Sequence, residues 1–287
     1  MTTFDYIVVG AGSAGCVLAN RLSERNDVNV LLLEAGAKDT HPLIHIPVGF
    51  SRLLNEGRVN WCFETEPEPG TKDRQIPIPR GKVLGGSSSI NGMLYVRGQA
   101  LDYDIWAQLG NRGWSFQEVL PYFKRSENFE RGCDSLRGSG GELNVADMAE
   151  RHEILDAFVE AGQQLGYPKN PDYNGESQEG FGYYQVTQRR GRRNSTAVAF
   201  LEPILDRSNL QVITDAHTKH LVFDGKHATG VVYDRRGVNF EAFAAREIIL
   251  CAGAVQSPQL LELSGVGDAQ RLGDLGIPVV HDLPGVG

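Results

Sequence analysis

The chain has 287 residues, 41% of them hydrophobic and 22% charged, which is enough to bury the core of one large domain or two interleaved ones and excludes a disordered chain. A formal net charge of -8 argues against a nucleic-acid partner, because domains that bind phosphate backbones carry a basic excess. The four cysteines, Cys16, Cys62, Cys133 and Cys251, form no CxxC pair and so indicate neither zinc nor a redox dithiol, while no apolar run approaches the ~20 residues of a membrane span.

Asp5 to Val9 reads as a buried parallel strand, followed at once by Gly10-Ala-Gly-Ser-Ala-Gly15 and a helix from Ser13 to Arg25. Only Met1-Thr-Thr-Phe4 precedes that strand, so no signal peptide is expected and a reducing compartment, the cytoplasm, suits the cysteines. A second strand, Val28 to Leu33, ends in Glu34. This strand–turn–helix–strand unit gives the glycines their meaning: the first allows the tight turn, the second lets backbone approach a pyrophosphate, and the third lets helix and strand pack closely. The helix N-terminus faces the phosphates with free N–H groups, and Glu34, about 20 residues on, is placed to accept hydrogen bonds from ribose hydroxyls.

From Ala35 to Pro79 periodicity fades, leaving a long irregular excursion with a short helix around Gly49 to Leu54; such excursions usually carry function or belong to another domain. Asp102 to Leu109 and Ser115 to Ser126 are expected helices, the second opening on the capping-box pattern Ser115-Phe-Gln-Glu118 and bent at Pro121. Glu153 to Leu165 is a helix whose face Ile154, Phe158, Ala161 and Leu165 is expected to be core, stopped by Gly166 and Pro168. Phe181 to Gln188 alternates as a strand does, and Arg189-Arg-Gly-Arg-Arg193 reads as a solvated turn. Asn209 to Thr214, Thr218 to Phe223, Gly230 to Tyr233 and Glu247 to Cys251 are further strands, which return so late that they must complete the first unit. The nucleotide domain is therefore expected to be discontinuous, over roughly 1–40, 72–150 and 195–287, with 151–194 as an inserted part of a substrate domain.

Two further runs carry chemistry. Arg80-Gly-Lys-Val-Leu-Gly-Gly-Ser-Ser-Ser-Ile-Asn-Gly-Met-Leu-Tyr-Val-Arg-Gly98 removes side chains at Gly85-Gly86, where a planar ring could come close, and sets Ser87-Ser88-Ser89 at an expected helix start. Asn91 and Gly92 can add a backbone and amide cradle. A Walker-type loop is excluded, since Val83 follows Gly81-Lys82 and the upstream glycine is missing. The second run, Gly253-Ala-Val-Gln-Ser-Pro-Gln-Leu-Leu-Glu-Leu-Ser-Gly-Val-Gly267, follows an apolar strand and brings Ala252 and Gly253 beside the dinucleotide.

With the glycine turn, these two runs resemble the signatures of the glucose–methanol–choline (GMC) oxidoreductases over essentially the whole chain, in the manner of choline dehydrogenase and related bacterial alcohol dehydrogenases. The resemblance implies an α/β fold, α+β overall, with a Rossmann-like FAD-binding domain of the GMC and glutathione-reductase type. It implies FAD against Gly10, Gly12, Ser13, Ala14, Gly15, Glu34 and Ala35, with Arg80, Gly81, Val83, Gly86, Ser87, Asn91, Gly92, Met93 and Leu94 toward the flavin, Ala252 and Gly253 beside it, and the backbone of Thr218 at the adenine. Where some members carry a flavin-linking His this chain has Ile90, so the flavin is expected to be non-covalent.

The implied reaction is oxidation of a primary alcohol to an aldehyde, a His taking the hydroxyl proton as hydride leaves for flavin N5. Family members place that His well beyond the second signature, so it is expected past Gly287 and the C-terminal catalytic part is expected to be missing. None of the seven histidines takes its place, although His41 and His45 could border a cavity. The substrate alcohol and the electron acceptor, oxygen or a quinone, stay open, as does peripheral membrane association of a full-length parent. An NAD(P)-dependent dehydrogenase and a non-catalytic flavin- or nucleotide-binding module are the alternatives, and the two signatures argue against the first.

Overall fold

The computed structural model describes residues 3–287. In chain order the principal elements are β1 (Thr3–Val9), α1 (Ser13–Leu22), β2 (Val30–Leu33), α2 (Ala100–Gln108), α3 (Phe116–Ser126), α4 (Glu153–Gln164), β3 (Leu210–Ile213), β4 (His217–Asp224), β5 (His227–Arg235), β6 (Val238–Leu250) and α5 (Gly253–Leu263). They fall into two compact units. The first runs through Ile44 and resumes over Gly49–Ile90 and Ser195–Gly287; the second comprises His45–Val48 and Asn91–Asn194. Among the described residues no helix is long and apolar enough to cross a membrane.

The first unit is built on a six-stranded sheet in the order β3-β2-β1-β6-β5-β4. β3, β2, β1 and the end of β6 are parallel, with Val30 opposite Leu210 and Tyr6, and Ile7 opposite Ile248. Their near-continuous apolar runs are what parallel strands covered on both faces require: Ile7, Val8, Leu31 and Leu32 are fully buried. β6 is longer than the expected Glu247 to Cys251, because its first part pairs antiparallel with β5 and only its last part joins β1. The β5–β6 turn has positive φ at both Arg236 and Gly237, the backbone twist that tight hairpins favour. Ile7, Leu33, Leu221, Tyr233 and Leu260 form its main core, at about 1.5–3 kcal/mol for each fully buried large aliphatic side chain. Beneath the irregular excursion, Ile44, Leu53, Val59, Val83 and Ile90 make a second cluster, anchored by short helices at Pro42–His45 and Phe50–Leu53.

In the second unit α3 starts at the expected box, where Ser115 N and Oγ both donate to Glu118 Oε2 at 3.1 and 2.6 Å. Residues 91–150 belong to this unit and not with the nucleotide strands, because their pairings stay inside it. Leu94–Tyr95 pairs antiparallel with Gln185–Val186, and Glu127–Phe129 parallel with Leu143–Val145. The strand expected over Phe181 to Gln188 is reduced to two-residue pieces at Gln185–Val186 and Gln188–Arg189. Arg189 to Arg192 are exposed as expected of a turn, but Arg193 is buried. The helix α4 forms as its period predicts, yet Ile154, Phe158 and Leu165 are 69%, 63% and 78% exposed and are not core. α4 packs instead through Gly162, where an added Cβ would lie 2.6 Å from the Phe181 ring.

Candidate cofactor site

The site grows from the ends of parallel strands in the first unit. β1 stops at Gly10, whose φ of +99° is open to glycine and whose missing side chain leaves room for the Cys251 carbonyl, 2.5 Å from where a Cβ would stand. Gly12 caps α1 and, with Ser13 and Ala14, leaves the first N–H groups of the helix facing a cavity of about 480 Å3. Gly15 sits behind that wall. A Cβ there would come within 1.8 Å of the Gly10 carbonyl oxygen, so its role is to let α1 close on the turn.

The Arg80–Gly98 run enters the same wall by the same device. Gly86, at φ +53°, approaches Gly12 so closely that a Cβ would be 2.7 Å from the Gly12 Cα, and Gly85 N donates to Ala11 O at 2.7 Å. Arg80, Gly81, Gly86 and Ser87 line the cavity. The expected helix start at Ser87-Ser88-Ser89 is a single 3-10 turn over Gly86–Ser89, and its hydroxyls are largely used inside the fold. Ser87 Oγ accepts from Gly81 N, Ser88 Oγ meets Thr196 Oγ1 at 2.9 Å, and Ser89 Oγ donates to Leu84 O. The side chain of Val83 is buried in the Ile44 cluster and does not reach the cavity. Asn91, Gly92, Met93 and Leu94 lie in the second unit. There Asn91 Oδ1 accepts from Met93 N and from Arg193 Nη1, and Met93 O accepts from Thr187 N.

Glu34 and Ala35 line the cavity where β2 ends. Glu34 is buried, its Oε2 accepting from Ala11 N at 2.9 Å and its Oε1 from Gly36 N at 2.8 Å. Burial pushes its carboxyl up to about 7 against those two donors and the Lys82 ammonium, all of which favour the charged form. Each oxygen retains acceptor capacity for a further hydroxyl. Thr218 lies in the same wall, just before a register shift in β4, and its Oγ1 is buried without a partner. Ala252 and Gly253 lead into α5, with Gly253 at φ +89° and open space where a side chain would be.

His41 and His45 do not border this cavity; the histidine in its wall is His217, whose pKa is lowered by burial and then by Lys219 and Lys82. Trp61, from the irregular excursion, lines it too. Neither was singled out by the motifs, since a lone Trp between Gly, Pro and charged residues carries no period; its isolation in so polar a stretch was the available signal.

The GMC oxidoreductase family matches residues 4–287. The oxygen-dependent choline dehydrogenase of Photobacterium profundum is 50% identical over 100% of this chain and 51% of its own length, and the alcohol dehydrogenase [acceptor] of Pseudomonas putida 47% over 99% and 52%. Among solved structures, pyridoxine 4-oxidase from Mesorbium loti superposes with a TM-score of 0.94 at 36% identity, covering 98% of this chain and 55% of that one. The FAD-dependent oxidoreductase from Chaetomium thermophilum follows at 0.92 and 32%, covering 99% and 51%. The chain spans about half the length of the curated relatives it matches. Backbone meeting backbone at Gly10, Gly12 and Gly86, and a family match running from residue 4 to residue 287, are one finding seen twice: the chain belongs to the GMC oxidoreductase family.

Proposed function

We propose that this chain is the FAD-binding portion of an oxidoreductase that converts a primary alcohol, choline or an aliphatic or aromatic alcohol, to the aldehyde. The observation that carries this reading is the cavity wall itself: the first N–H groups of α1 face it at Gly12, Ser13 and Ala14, a buried carboxylate stands at the end of β2, and a buried Thr218 hydroxyl lacks a partner. The group fits that wall. Gly12, Ser13 and Ala14 would hold the pyrophosphate on their N–H groups, Glu34 would accept from the ribose, the Thr218 segment would face the base, and Gly81, Gly86, Ala252 and Gly253 would line the flavin end.

When bound, FAD supplies the acceptor for the hydride of the alcohol carbon. The chain's own residues in the cavity wall would orient that group. His217, the histidine in the wall, stands at the end where Glu34 lies, beside the expected ribose and base, and this reading gives it no part in taking the hydroxyl proton. Relatives described as choline and alcohol dehydrogenases support the substrate class, and four unpaired cysteines support a cytoplasmic setting. Ile90 is fully enclosed in an aliphatic cluster and offers no atom for a flavin bond. The test is to load the purified chain with FAD and precipitate it with acid: all yellow colour is expected in the supernatant. Colour in the pellet overturns the non-covalent reading, and failure to take up FAD overturns the cofactor reading.

A further inference from the structure

The wall of the first unit's cavity carries two ring side chains other than its aliphatic lining, Trp61 and His217, and their rings lie 5.4 Å apart. Both stand at the end where Glu34 is. Ala216 N donates to Glu34 O at 2.8 Å and Asp215 N to Gly36 O at 2.9 Å, so the segment entering β4 runs directly beside the carboxylate. A base attached to a ribose held by Glu34 has this corner to occupy, because the other direction leads to the N-terminus of α1, where the phosphates go.

Trp61 is held firmly there. Asn60, itself buried, donates from Nδ2 to Leu54 O at 2.6 Å and accepts at Oδ1 from Cys62 N and Arg80 N, while Trp61 N donates to Arg80 O and Lys82 N to Val59 O. The excursion is thereby strapped antiparallel to the start of the Arg80–Gly98 run. The indole face already has two neighbours: the Lys82 ammonium lies 4.5 Å from the ring centroid, and the Phe63 ring is stacked at 5.8 Å and 8°. What the ring offers a ligand is its edge. That edge is the electropositive part of the quadrupole and carries the N–H donor; a cation over the face makes it more so. Adenine offers what such an edge binds, an electron-rich face and ring-nitrogen acceptors.

We infer that Trp61 is an adenine-recognition residue of this site, meeting the base with its ring edge while Lys82 and Phe63 fix the ring. The inference rests on the FAD reading above and extends it to a residue outside all three glycine-rich motifs.

The experiment uses the whole chain with Trp106 and Trp114, which pack on each other in the second unit, both changed to Phe, so that Trp61 is the remaining indole of the three. ADP, which has the adenosine and no flavin to absorb the emission, is titrated while tryptophan fluorescence is followed, with inorganic pyrophosphate as the control. A saturable change with ADP and none with pyrophosphate is expected. By calorimetry Trp61→Ala should raise the ADP Kd about tenfold and Trp61→Phe by less, in line with the worth of a base–aromatic contact. Unchanged emission on ADP binding, or equal ADP Kd values in parent and Trp61→Ala, overturns the role of Trp61 and leaves the FAD reading standing. A folded parent that binds neither ADP nor FAD overturns both. The emission measurement keeps Trp61 in place and so does not depend on whether Trp61→Ala folds.

Discussion

The two units bury their polar groups by opposite means. In the first, strands and turns approach until backbone touches backbone, at Gly10 against Cys251, Gly15 against Gly10 and Gly86 against Gly12, and its buried acid, Glu34, is held by two N–H donors. In the second, the interior holds a charged cluster. Glu127, fully buried, accepts from Arg97 Nη2 at 2.7 Å, Arg137 Nη2 at 2.6 Å and Gly138 N at 2.7 Å; Arg137 also reaches Asp172 at 2.7 Å and lies 3.6 Å from the Phe129 ring centroid. The contrast teaches where each unit is fragile: the first to added atoms, the second to removed charges.

The largest effect should come from adding one carbon to the first unit. Gly15→Ala places a Cβ 1.8 Å from a backbone oxygen that cannot move without disturbing β1, so a loss on the order of 5 kcal/mol or more, or failure to fold, is expected in urea denaturation. Gly92→Ala, with open space around it, should be near neutral in the same assay. Equal stability of the two variants would break the comparison. Removing a charge from the second unit comes next. Glu127→Ala leaves two buried guanidiniums facing each other without their shared carboxylate and should cost about 3–5 kcal/mol in the same measurement. A loss below about 1 kcal/mol would mean that water enters and replaces the acid.

The smallest effect sharpens the contrast between the two acids. Glu34 lacks a guanidinium partner, so burial dominates and its folded pKa of about 7 lies above the ordinary value of 4.5. A group raised on folding stabilises fully below its unfolded pKa and loses that contribution as pH climbs through the folded one. The nucleotide-free chain should therefore lose about 3 kcal/mol between pH ~4.5 and somewhat above 7 from this residue, at 1.36 kcal/mol per pKa unit. Glu34→Gln, which stays neutral, should gain that much on its parent between pH 5 and pH 8; parallel pH profiles would show that Glu34 is ionised throughout.

The same contrast explains what could be read in the sequence. A close approach of backbones leaves a local mark, and Gly10, Gly12, Gly15 and Gly86 are legible because each belongs to a short glycine-rich motif. The charged cluster leaves none. Arg97, Glu127, Arg137 and Asp172 are scattered along the chain and become one object only after folding, so an interior of charge could not be told from a solvated surface. Periodicity failed in a related way at α4: the stripe Ile154, Phe158, Leu165 specified a helix, but what a stripe packs against is a tertiary fact, and here Gly162 makes the contact. Trp61 stayed hidden because it is placed by long-range pairing of the excursion with Arg80, not by any pattern of its own.

The pairing of Ile7 with Ile248 sets a timetable for the newborn chain. β6 leaves the ribosome only after the roughly 240 residues that separate Ile248 from Ile7, so at about 5–20 residues per second the apolar edge of β1 waits on the order of 10–50 s for its neighbour. During that interval β2 can cover one side of it while the other remains a strand edge open to any passing partner. Topology thus makes yield in the cell a matter of translation speed and chaperone supply, a burden that a sheet assembled from sequential strands does not carry.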